Sequence, residues 1–195
     1  ISDICWTLNI RGNDIDFFPL VLSYGIITMD SFELYIDERK LDDKLKAKLA
    51  KDGVNLHPYN DIYEDVKKFG SDVVAMIDPG KLNYALFNNI PENVKTVKKR
   101  NPAILMKAIK NPVEIENIRK AQIKDSVAHV RFMKWLKENV GKMRITEMSA
   151  SDKLDEFRAE MGKFIRPSFE PISSFGEHGA IVHYTSSPET DVELK

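Results

Sequence analysis

The residues best suited to chemistry lie in one stretch, Phe169-Glu170-Pro171-Ile172-Ser173-Ser174-Phe175-Gly176-Glu177-His178-Gly179-Ala180-Ile181-Val182-His183-Tyr184. Gly176 and Gly179 bracket a turn. Ala180-Ile181-Val182 then reads as a short apolar strand that ends in His183. A histidine at the end of a strand, behind a glycine-rich bend, can face a cavity. Imidazole exchanges protons near neutral pH, so His183 could polarise a carbonyl or hand a proton to a leaving amine. The plainer reading, a hydrogen-bonded structural histidine, fits the same spacing. His178 reads as a turn residue. Phe169 reads as a pocket wall or equally as a core aromatic. Arg11 follows the apolar run Ile4-Cys5-Trp6-Thr7-Leu8, and an arginine there must find a partner or a way out to water. Its plainer reading is a buried ion pair that holds the domain, with Trp6 in the core.

The elements that must carry these residues alternate strands and helices. Residues 1–11 read as a strand. Residues 20–28 and the alternating run Phe32, Leu34, Ile36 against Glu33, Tyr35, Asp37 read as a hairpin around Met29-Asp30-Ser31. A helix over 38–52 closes at Gly53, a strand covers 54–57, and a helix over 60–69 closes at Gly70. Strands at 73–77 and 94–97 flank a helix at 81–89. Such alternation implies an α/β layer. The character changes at residues 101–111. Asn111-Pro112-Val113-Glu114 is a helix start: Asn can cap free amides, Pro fits the first turn and Glu suits the positive helix end. A long amphipathic helix follows to about Asn139, then a second helix from about Thr146 with Leu154 and Phe157 on one side. Strands and glycines are expected from Phe164 onward. The division is therefore 1–105 and 106–195.

Composition narrows the function. The chain has 195 residues, of which 43% are apolar and 30% charged, with 29 basic and 30 acidic side chains. That is enough for a core, and a net charge of −1 gives no reason to expect nucleic acid or an anionic membrane as partner. No run of about 18 apolar residues indicates a membrane span, and no signal peptide is legible. The single cysteine, Cys5, excludes an internal disulfide and fits a reducing, cytoplasmic setting; it reads as a small buried hydrophobe. Ile1 opens the chain inside an apolar segment, so the chain reads as an internal piece of something longer.

Trp6-Thr7-Leu8-Asn9-Ile10-Arg11-Gly12-Asn13-Asp14 resembles the Trp-x-x-Asn-x-Arg-Gly-x-Asp segment in the second domain of three-domain aminopeptidases P. Lys110-Asn111-Pro112-Val113-Glu114-Ile115 with Arg119-Lys120-Ala121 resembles the lead-in to their catalytic domain. The stretch from Ser173 to His183-Tyr184 resembles their pita-bread His-Tyr motif, and Pro188-Glu189-Thr190 the link after it. These matches run in order along nearly the whole chain. The resemblance implies a creatinase N-terminal-like α/β domain over 1–105, followed by the incomplete start of a pita-bread α+β domain over 106–195. It implies a metal-dependent aminopeptidase that removes the first residue from peptides with proline second. It assigns His183 to contact with the reacting substrate and Phe169 to the substrate pocket; Arg11, which could reach toward the catalytic domain or a neighbouring subunit, is the other substrate-binding candidate. Two manganese ions are expected in the whole enzyme and none in this chain, because the family's ligands come later; Asp191, Glu193 and His178 are not nominated. Helices of the second part should therefore expose apolar faces. A homodimer is implied by analogy. A prolidase, which cuts dipeptides and generally lacks the middle domain, and a non-catalytic pita-bread binding module remain alternatives.

Overall fold

A computed structural model describes all 195 residues, which form two compact units, Ile1–Lys110 and Asn111–Lys195. The first is built around a three-stranded sheet in the order β1 (Ser23–Ile27), β2 (Phe32–Ile36), β3 (Val54–His57). β1 and β2 form the expected antiparallel hairpin, with Ser23 opposite Ile36 and Ile27 opposite Phe32. β3 runs parallel to β2. A parallel neighbour needs a crossover, and α2 (Asp43–Lys51) supplies it, capped by the Asp42 carboxylate on the Leu45 amide and closed by Gly53 at φ 78°. Only a residue free of a Cβ takes that turn cheaply.

The sheet is covered on both faces. Leu34 and Ile36 of β2 lie in one cluster with Cys5, Ile10, Val21, Leu49 and Val54. Tyr35 points the other way, into a cluster with Ile62 and Val66 from α3 (Ile62–Asp65) and the 3-10 turn after it, and Leu86 from α4 (Tyr84–Asn89). A parallel pair, β4 (Val74–Ile77) and β5 (Lys95–Lys98), completes the strands, and Val74 and Met76 of β4 are exposed.

The opening segment corrects the sequence reading. Residues 2–7 form a helix, α1 (Ser2–Thr7), not a strand. Ile1, Ile4, Cys5 and Leu8 have the three- and four-residue spacing of a helix face. The helix ends on Asn9 in the left-handed conformation, φ 52°. The amide of Asn9 donates to the carbonyl of Trp6 and that of Ile10 to Cys5, at 3.2 and 3.0 Å. This is a Schellman close with Asn in place of glycine, sealed by burial of both Cys5 and Ile10. Asp3, buried beside it, is paired with Lys107 at 2.8 Å and so ties α1 to α5 (Pro102–Ala108).

The second unit has two helices, α6 (Pro112–Asn139) and α7 (Glu147–Glu160). α6 starts as its sequence dictates: Asn111 accepts from the Glu114 amide and Glu114 accepts from the Asn111 amide, each at 2.9 Å. Asp125 of α6 holds Arg158 of α7 at 2.8 Å, and the Arg131 guanidinium lies over the Phe157 ring at 4.6 Å. Beyond Gly162 the expected strands do not form. Residues 176–180 make a 3-10 turn, and Ile181 and Val182 are exposed with no ladder. A strand needs a neighbour to accept its hydrogen bonds, and within these 195 residues none lies beside 180–182.

Candidate functional site

The site grows from the first turn of α7. Thr146 caps the helix, accepting from the Ser149 amide at 3.2 Å while the Ser149 hydroxyl accepts from the Thr146 amide at 2.8 Å. Asp191 accepts from the Met148 amide at 3.0 Å, and the Glu147 amide donates to the Val192 carbonyl. The chain after residue 187 is thus laced to this helix end. The next side chain in, Glu147, is 0% exposed. Its Oε1 accepts from the Phe175 amide at 2.6 Å, and its Oε2 from the Tyr184 hydroxyl at 2.7 Å. His178 Nδ1 lies 3.0 and 3.1 Å from the two oxygens. An ionised carboxylate only accepts, which places the proton on Nδ1 of His178.

Burial alone would raise the Glu147 pKa. The Tyr184 hydroxyl, the Phe175 amide and His178 outweigh it and hold the carboxyl below its ordinary value. The positive end of α7 acts in the same direction. The His178 and Tyr184 rings stack at 4.6 Å between centroids, and burial beside the Glu147 charge raises the Tyr184 pKa. Gly176, at φ 61°, lets the chain turn into this arrangement.

His183 stands next to this cluster in sequence, exposed and at φ 55°, while Tyr184 is buried. Phe169, in the same unit, is 72% exposed. Arg11 belongs to the first unit; it is exposed and donates to the Ile10 carbonyl at 3.0 Å instead of sitting in a buried ion pair. Glu147 escaped the sequence reading, because an acid in a first helical turn ordinarily faces water. The available signal was its place between Ile145 and a capping threonine on one side and the helix on the other. His178, read as a turn residue, does lie in the turn, where it also reaches Glu147. No three His, Cys, Asp or Glu side chains converge as a metal centre requires, and Asp191 is spent on an amide. The donor set in this chain does not fit a metal pair.

Residues 1–114 match the family model of the creatinase/prolidase N-terminal domain. The chain belongs to that family. Residues 116–195 match metallopeptidase family M24, so this creatinase/prolidase chain passes from the N-terminal domain into metallopeptidase sequence. Its relatives are Xaa-Pro aminopeptidases, as the sequence resemblance implied. A probable Xaa-Pro aminopeptidase P of Neurospora crassa is 35% identical over 94% of this chain and 28% of its own length. Xaa-Pro aminopeptidase 1 of Dictyostelium discoideum is 36% identical over 100% of this chain and 31% of its own. The crystal structure of X-prolyl aminopeptidase from Caenorhabditis elegans, described as a cytosolic enzyme with a di-nuclear active site, superposes with a TM-score of 0.89 at 31% identity, over 98% of this chain and 32% of that one. The creatinase/prolidase chain thus spans about a third of the length of these proteins.

Proposed function

We propose that the whole protein is a metal-dependent aminopeptidase that releases the first residue of peptides with proline in second position. The observation that carries this reading is the superposition of nearly the whole chain, through both units, on an X-prolyl aminopeptidase. In this reading residues 1–105 are the middle domain of three and residues 106–195 the start of the catalytic domain. His183 contacts the scissile carbonyl or the leaving amine, and its exposure leaves it open to substrate. Phe169, a bare ring at the surface of the same unit, contributes to the substrate pocket. Arg11, exposed in the first unit, is a further substrate-binding residue in this reading. Two manganese ions, a cytoplasmic setting and a homodimer belong to the same reading, with the metal ligands supplied from outside residues 1–195.

The test is product analysis on the whole protein with manganese and a tripeptide carrying proline second. Release of the free first residue is expected. Cleavage of an Xaa-Pro dipeptide alone would make the protein a prolidase, and neither reaction would make it a binding module. With activity in hand, His183→Ala should lower kcat by about 10²–10⁴, with KM little changed, since its contact strengthens in the transition state. An unchanged kcat would remove His183 from the reaction.

A further inference from the structure

Leu34, Ile36, Leu49, Ile145 and Glu147 are the largest fully buried side chains, and Glu147 alone among them is ionisable. Burying a carboxylate costs several kcal/mol unless its charged form is well hydrogen-bonded. An apolar side chain in its place would avoid that cost but would not fix the direction of its neighbours, and the partners of the carboxylate indicate what it fixes. All three side-chain hydrogen bonds of Glu147 reach one ten-residue segment: the Phe175 amide at its start, His178 in its turn and Tyr184 at its end. Within residues 1–195 the segment has no strand ladder to fix it. His183 lies inside these three points, one residue from the Tyr184 anchor and in the left-handed backbone conformation, where freeing a neighbour would let φ relax.

We propose that Glu147 is a positioning residue: it clamps residues 175–184 at three points and thereby sets the direction in which His183 is presented. The role in turnover rests on the aminopeptidase reading; the clamp itself does not. The carboxylate chooses one arrangement of the segment among the many that an apolar contact would tolerate. Partners that orient a working side chain from behind commonly change activity by about 10–100-fold when altered.

The experiment compares the whole wild-type protein with E147Q and E147A by two readouts. The first is amide hydrogen exchange. Both variants should exchange faster across 176–184, E147A more so, with α6 protection unchanged. The second is steady-state kinetics on a tripeptide with proline second. E147Q is isosteric but turns donors toward the donors of Tyr184 or His178. It should lower kcat about 10–100-fold with KM and metal content unaltered. His178→Asn keeps an N–H for Glu147 and should lower kcat less than His178→Leu, which should follow E147Q. Unchanged exchange over 176–184 in E147A would overturn the clamp. Faster exchange with kcat intact would overturn the positioning of His183. A wild-type protein that releases no first residue would defeat the aminopeptidase reading, and exchange would still decide whether Glu147 holds the segment.

Discussion

The two units keep their shape by different means. In the first, the sheet is sandwiched: Leu34 and Ile36 are sealed on one face and Tyr35 on the other. Its fixed points are hydrophobic and come from many elements. In the second, α6 carries Val130 at 66% exposure and Met133 beside it in the open, and Ile165, Phe169 and Val182 are bare as well. What orders its last third is polar: a buried carboxylate, a threonine cap and an aspartate on a helix amide. A core of interlocked apolar groups tolerates the loss of any one hydrogen bond. A segment hung on three hydrogen bonds to one side chain does not.

That contrast can be broken at its strongest point first. Leu34→Ala removes a fully buried side chain from the centre of the first unit and should cost about 2–5 kcal/mol, seen as lost exchange protection throughout β1–β3. A cost confined to β2 would mean the sheet is not a single cooperative core. Asn111→Ala removes the cap of α6 and should cost about 1 kcal/mol, read from the amides of its first turn. A titration probes the polar anchor. The carboxyl carbon of Glu147, followed by NMR, should titrate below 4.5, its ordinary value. Because the folded value is depressed, the stabilisation it gives is complete above pH 4.5 and is lost as pH falls through the folded value. Tyr184→Phe, which removes one donor, should move that midpoint upward; an unmoved midpoint would show that the hydroxyl does not hold the charge. The smallest effect belongs to Val130→Ala in the 195-residue chain, within about 0.5 kcal/mol because the side chain is already in water. A much larger loss for the same change in the whole protein would show that this face is covered there.

What the sequence disclosed follows the same line. The hairpin, the crossover helix and the α6 start were legible because each is written locally: alternation in Phe32–Ile36, a glycine after Lys51 and Asp52, and Asn-Pro-Val-Glu at 111–114. The opening helix was not, because Ile4 to Leu8 is apolar enough to suit either period and the deciding signal is the pair Asn9 and Ile10 after it. Residues 180–182 have the composition of a strand, but a strand is a property of two segments, and one segment cannot declare its neighbour. Glu147 was illegible for a related reason. Its donors are 28, 31 and 37 residues away in the chain. The residue nominated for chemistry, His183, was picked from its neighbours in sequence; the group that holds those neighbours was visible only once the chain was folded.

Cys5 has a practical consequence. It is the chain's single thiol, it is 2% exposed, and its sulfur faces the backbone of Val21 inside the first cluster. A maleimide cannot reach it while α1 is docked. The rate at which such a reagent marks Cys5 therefore measures how often this helix lifts from the sheet, and the chain carries its own gauge of the first unit's opening without any introduced label.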